Sequence, residues 1–260
     1  MATGNLVEQI PLWALFILTV GALLLFFEIG WRLGNQRRRR SELETKPPIG
    51  AAVGAILGLL AFLLAFTFGL AADRYNARRQ VVLDEANSIG TAYLRTDFLP
   101  QQQGETSREL LRRYAVLRAG GRSGIMSAEG RAQTAEIQAG LWSQAAQAQK
   151  ITDTVSTGLY IQELNQLIDL DEIRITANRY QIPDSIWLML YLVAVLAFAA
   201  LGYEFGLEGI RNWAVTILMA VVFTTVFLLI ADLDRPQAGL LQVSQQPILD
   251  VIQSIGTPAP

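Results

Sequence analysis

The stretch from Ile49 to Ala72 reads IGAAVGAILGLLAFLLAFTFGLAA. It carries no charge, and at a helical rise it is long enough to cross a hydrocarbon core of roughly 30 Å. The chain then continues from Asp73 to Pro100 as DRYNARRQVVLDEANSIGTAYLRTDFLP, with Tyr75, Val82, Ala86, Ile89 and Tyr93 at helical spacings and no proline before Pro100. The pattern predicts one long helix, apolar in its first half and amphipathic in its second. Such a rod carries a membrane event into a domain outside the membrane.

Composition agrees with a membrane chain. Of 260 residues, 52% are hydrophobic and 17% charged, where a soluble domain carries about a quarter charged. Cysteine and histidine are both absent. That removes disulfide frameworks, thiolate zinc sites, Cys or His nucleophile–base pairs and the usual side chain that switches near neutral pH.

Three more apolar runs can span: Leu12 to Trp31, Ile186 to Tyr203 and Trp213 to Ala231. Trp13 and Trp31 stand at the two ends of the first, where interfacial indoles belong. That run has no basic segment before it and no small-residue cleavage site, so it is expected to be retained. Residues 32–48 form an arginine-rich loop in this scheme, with Pro47 and Pro48 at the start of the second span. Residues 100–184 are rich in Gln, Ala, Arg and Glu and read as helices. Thr106 or Ser107 caps one through Ala119, Gly120 to Gly124 makes a turn, Ser127 starts another, and a last one runs from about Val155 to near Pro183. Asp184 or Ser185 is expected to cap the third span.

The result is an all-α integral membrane protein. Four transmembrane helices carry a helical-bundle domain inserted between the second and third, and the second helix continues into it. The divisions fall at 1–72 for the first pair of spans, 73–184 for the helical domain, 185–231 for the second pair, and 232–260 for a proline-punctuated apolar tail expected to lie on a surface.

Arginines set the expected orientation. Arg32, Arg37 to Arg40 and Lys46 crowd the first loop, and Arg211 lies on the same side. The positive-inside rule places that side in the cytoplasm, and both termini and the helical domain outside. Arg37, Arg38, Arg39 and Arg40 serve as an orientation signal, as a hold for anionic lipid headgroups, or as both. As a nucleic-acid patch the cluster is poor, being short and without interleaved aromatics.

Candidate functional residues concentrate on the second helix. Ala51, Ala55, Gly58, Phe62, Ala65, Gly69 and Ala72 fall on one stripe. Small residues allow close helix packing in lipid. Alternatively Gly58, Phe62, Ala65, Phe66 and Gly69 line a pore, with Phe62 and Phe66 stacking as aromatic rings that gate by dewetting. Asp73, Arg74 and Arg78 then stand at its mouth, or form an interfacial ion pair. Glu28 and Glu204 are the acidic residues in or next to spans; they serve transport or snorkel toward Arg32 and Arg211. Without His, Cys or a phosphate-cradling glycine loop, no enzyme is expected, and no cofactor or metal.

The order of two spans, a helical insert of about a hundred residues and two further spans resembles the bacterial bestrophin-like domain family. The residues that carry the likeness are Asp73, Glu85, Asn87, Tyr93 and Pro100, with a tail opening Asp234-Arg235-Pro236 and continuing to Val243-Ser-Gln-Gln-Pro247. More distantly the chain is similar to bestrophins, pentameric anion channels whose pore runs down five copies of the second span. The resemblance implies a homo-oligomeric ion channel of the bacterial plasma (inner) membrane, a pentamer by analogy, with ions and the lipid bilayer as its partners and anions favoured. Two departures stand beside it. Bestrophins hold both termini and the helical domain in the cytoplasm, opposite to the charge rule here, and their acidic calcium clasp has no clear counterpart in this chain. The alternatives are a membrane-anchored sensory or binding module and an accessory subunit of a larger membrane complex.

Overall fold

A computed structural model describes residues 10–40, 49–120, 127–236 and 239–256, and every regular element among them is helical. The helices are α1 (Leu12–Arg40), α2 (Gly50–Arg95), α3 (Gln101–Ala119), α4 (Ala128–Ile151), α5 (Val155–Arg179), α6 (Asp184–Glu208), α7 (Trp213–Asp234) and α8 (Gln246–Ile255); a 3-10 turn, Thr96–Phe98, follows α2. Four helical segments are long and apolar enough to cross a membrane, in α1, α2, α6 and α7. The helix start expected at Pro47 and Pro48, Lys46, and the turn beyond Gly120 lie outside the described residues.

Three helix starts and ends differ from expectation. α1 does not stop at Trp31 but runs through Arg37, Arg38, Arg39 and Arg40. No proline interrupts it there, and basic side chains in a last turn complement the negative end of the helix dipole. α3 begins at Gln101 directly behind Pro100, and the Thr106 hydroxyl bonds back to the Gln102 carbonyl inside the helix at 2.9 Å instead of capping it. α6 starts behind Pro183 without a side-chain cap; the Pro183 carbonyl accepts from the Ile186 N–H at 2.9 Å. Ser127 does cap α4, its side chain accepting from the Gly130 N–H at 3.1 Å.

The chain divides into two compact units, Met1–Asp73 with Gln181–Leu240, and Arg74–Tyr180 with Leu241–Pro260. In the first, α1 packs along α6 and against α7. Glycines set the α1–α6 approach. A Cβ on Gly30 would run into the Ala199 carbonyl and one on Gly34 into that of Tyr203; a Cβ on Gly202 would strike the Phe27 carbonyl and one on Gly206 that of Trp31. Two glycine pairs, each at a spacing of four, therefore let the two backbones touch. Aromatic rings fill the wider gaps: Phe27 meets Phe205 edge-on at 5.8 Å, and Tyr191 stacks on Phe227 at 4.8 Å.

The second unit is built on a soluble-protein core. Ile89, Leu111, Tyr114, Leu141, Tyr160, Leu164 and Leu167 are buried together, with α3 packed on α4 and α8, and α4 on α5. The tail joins this core. Ile248 packs on Val82 and Ala86, and Ile255 enters the main cluster. Arg112 Nε donates to the Ile255 carbonyl at 2.9 Å, holding the end of α8 where Gly256 turns with φ +81°.

Gly202→Leu should break the α1–α6 approach. Because backbone atoms stand where its side chain must go, overpacking should cost about 1–3 kcal/mol or more, read as a lowered melting temperature in detergent. Gly54→Ala, where a Cβ has open space in the protomer, should leave that temperature nearly unchanged.

Candidate functional site

Along the membrane half of α2, one face of the helix is uncovered. Phe62 and Phe66 are 66% and 62% exposed, and Leu59 is exposed beside them. Gly58 and Ala65 are exposed and Gly69 half-buried. A Cβ added to Gly54, Gly58 or Gly69 would meet nothing within 4 Å. The small residues of this stripe are thus not packed inside the protomer; the glycines that do pack are those of α1 and α6. The opposite face is buried, through Val53, Leu60, Leu64 and Ala71.

The uncovered positions obey a seven-residue repeat. Ala52, Leu59, Phe66 and Asp73 form one exposed row, and Ala55 and Phe62 with half-buried Gly69 form a second, three residues out of step. In the second unit the same spacing on α2 exposes Gln80, Asn87 and Leu94, and Asn76 and Leu83. A straight α-helix drifts about 20° per heptad from such a repeat.

Of the three residues expected at a mouth, Asp73 is exposed and shares the row of Phe66. Arg74 is half-buried, and Arg78 is buried at 4% exposure.

At one end of the first unit α1 meets the link between α6 and α7. Glu28 accepts from Arg32 Nε at 2.8 Å and from Arg211 Nη2 at 3.1 Å. The Arg211 guanidinium lies 4.5 Å from the centre of the Trp31 ring and 4.9 Å from that of Trp213. Trp31 Nε1 donates to the Ile210 carbonyl at 3.0 Å. Glu204 is half-buried, with its carboxylate beside Gly50. Arg37, Arg38, Arg39 and Arg40 are exposed. At the C-terminal end of α7, the Asp234 carboxylate accepts from the Ile182 N–H at 2.9 and 3.1 Å, and Arg235 Nη2 donates to the Ile10 carbonyl at 2.6 Å. The Asp-Arg-Pro signature is therefore a device that ties chain ends together. Thr216 and Thr225 bond carbonyls of their own helix end or helix, at 3.0 and 2.8 Å.

The second unit holds a buried charge cluster. Glu85, with no exposed surface, pairs with both Arg118 and Arg174, and accepts from the Tyr114 hydroxyl at 3.1 Å. Arg118 Nη1 also donates to Asp171 at 2.6 Å, and Gln138 donates to the same carboxylate at 3.1 Å. Arg174 Nη2 reaches Gln245 Oε1 at 2.6 Å, so the tail enters the cluster. Burial and the Glu85 charge hold the Tyr114 phenol well above its usual value, and burial pushes Tyr160 up to about 12. A second group joins Ser88 to Glu163 at 2.8 Å and Arg95 to Glu163 at 3.0 Å. Tyr93 takes a hydrogen bond from Arg112 at 2.6 Å.

Sequence spacing had a signal for part of this. Glu85 lies three residues after Val82 and four before Ile89, hence on the inward face of α2, and Arg118 lies four after the inward Tyr114. Arg174, Asp171 and Gln245 come from separate segments, and no local pattern joins them. The glycine pairs of α1 and α6 were written as Gly-x-x-x-Gly, but spacing alone does not name the partner helix.

These elements define a helical membrane protein with an extramembrane helical unit in one chain. The Bestrophin-like domain family model matches residues 13–248, and the chain belongs to that family. Crystal structures of two variants of a bacterial bestrophin homologue from Klebsiella pneumoniae share the fold at a TM-score of 0.66 and 15% identity. One match covers 91% of this chain and 94% of that one, the other 94% and 97%. A variant of another membrane protein of known structure matches at a TM-score of 0.63 and 14% identity, over 92% of this chain and 99% of that one. No curated protein matches the sequence.

Glu85→Ala would leave two buried guanidiniums without their shared carboxylate. The expected loss is about 3–5 kcal/mol, seen as faster amide hydrogen exchange across α3 and α5. Raising the pH should also weaken the fold. An unfolded tyrosine loses its proton near 10 and Tyr160 keeps it to about 12. Stability therefore falls as pH rises through that window, and Tyr160→Phe should flatten the slope of the denaturation midpoint against pH.

Proposed function

We propose that the protein is an ion channel formed by several copies of this chain around an axis, with α2 nearest that axis. The observation that carries the proposal is the uncovered, seven-residue face of α2 with Phe62 and Phe66 on it. Identical helices that meet around an axis need a repeat of this period, and an exposed aromatic pair with open space beside its glycines suits a seam and a hydrophobic constriction together. Gly58, Phe62, Ala65, Phe66 and Gly69 line the conduit in this proposal, and Asp73 stands at its mouth. A pentamer and an anion as the permeant species follow by analogy with bestrophins, the bestrophin homologues among the structural neighbours supplying fold alone. By the charge rule, the arginine-rich end of the first unit faces the cytoplasm across the bacterial inner membrane, and the helical domain between the spans lies outside. No catalytic role is assigned to any residue.

The test is conductance of the purified protein in planar bilayers, with its mass measured in detergent. A homo-oligomer that passes current is expected. Phe62→Ala should widen the constriction and raise unitary conductance. Asp73→Asn should shift the reversal potential in a salt gradient toward anions, because a ring of carboxylates repels them. A monomer, or an oligomer without current that co-purifies with a larger complex, would instead favour an accessory or sensory role.

A further inference from the structure

The arginine end of the first unit has an imbalance of charge that internal pairing does not remove. Glu28 is already held by Arg32 and Arg211. Arg37 Nη1 donates to the Tyr203 hydroxyl at 3.0 Å, and Arg38 Nη2 donates to Asn35 Oδ1 at 3.3 Å. Among the described residues, neither arginine has a carboxylate partner, and nor do Arg39 and Arg40. The sequence from Ser41 to Pro48 adds Glu42, Glu44 and Lys46, and the total around this end stays positive.

Two of the four arginines are placed by other residues. Tyr203, on α6, fixes Arg37. Arg38 lies over Gly209, the residue that closes α6 with φ +72°, and any Cβ at that position would collide with its guanidinium. Glycine thus serves there twice, for the left-handed turn and for the room it leaves the arginine. Asn35, one turn before Arg38 on α1, holds the same side chain from below. Beside them, Arg211 between Trp31 and Trp213 marks the level where amphipathic rings meet headgroups. Two guanidiniums held in place at that level, each with donor groups to spare, match the oxygens of a phosphodiester.

We propose that Arg37 and Arg38, supported by Tyr203, Asn35 and Gly209, bind the phosphate of an anionic lipid headgroup. The site needs only the bilayer and stands whether or not the protein conducts. Charge alone makes a diffuse attraction that all four arginines share; a site assigns the work to the two that are held.

The experiment is lipid binding to the full chain by native mass spectrometry, titrating phosphatidylglycerol, phosphatidylcholine or inorganic phosphate, with melting temperature as a second measurement. Phosphatidylglycerol should be retained and should raise the melting temperature, and neither phosphatidylcholine nor inorganic phosphate should do so. The double variant R37Q/R38Q should lose at least tenfold in affinity for phosphatidylglycerol, while R39Q/R40Q, with the same change of charge, loses less than threefold. Tyr203→Phe, which keeps the ring and frees Arg37, should weaken binding severalfold without lowering the melting temperature measured in phosphatidylcholine. Equal retention of the two lipids would overturn the proposal. So would equal losses in the two double variants, which mean a diffuse charge effect, or stabilisation by inorganic phosphate matching that by lipid, which means a free-anion site.

Discussion

Lipid gives two helices no hydrophobic reason to associate, because the solvent is as apolar as their side chains. The first unit meets that constraint by close approach. Gly30 and Gly34 face Gly202 and Gly206, and removal of four side chains lets α1 and α6 pack backbone on backbone, where dispersion and weak hydrogen bonds replace the missing drive. The positions of Trp31, Glu28 and Tyr203 beside that crossing, and so the layout of the arginine end, follow from it. The second unit works under the opposite rule. Water drives its apolar core together, and it then tolerates a fully buried Glu85 because two arginines and a tyrosine hydroxyl surround the carboxylate.

Much of the fold was legible because the two strongest signals in the chain are long. A charge-free run such as Ile49 to Ala72 admits little but a spanning helix, and an apolar repeat that continues without proline keeps that helix going to Arg95. Ends were less legible. Arginines at 37–40 look like a loop by composition, yet each has good helix propensity and the dipole at the end of α1 favours them. Thr106 looks like a cap, but Pro100 supplies an earlier start. On the site, the spacing of Phe62 and Phe66 places them on one face, while only the burial of the rest of α2 tells which face is left uncovered. The Glu85 cluster was hidden for another reason. It gathers residues from α2, α3, α5 and the tail, and contacts of such long range leave no trace in local periodicity.

Two surfaces of the first unit have opposite characters. The α2 face is apolar and uncovered over several turns, which in water would be an aggregation liability and in a membrane is either lipid-facing or a seam. The arginine end is polar and fixed. One concerns what copies of the chain do with one another, the other what the chain does with its solvent, and neither depends on the other for its chemistry.

The docking of α8 bears on the order in which the protein can be made. Ile248 and Ile255 belong to the core of the second unit, and Gln245 to its charge cluster, although the rest of that unit is encoded before α6 and α7. Residues 74–180 therefore leave the ribosome without the last pieces of their interior. They must wait, partly assembled, while two more membrane segments are inserted, and they can close only after the final helix has been translated. Completion of the extramembrane part thus reports that all four spans have been synthesised.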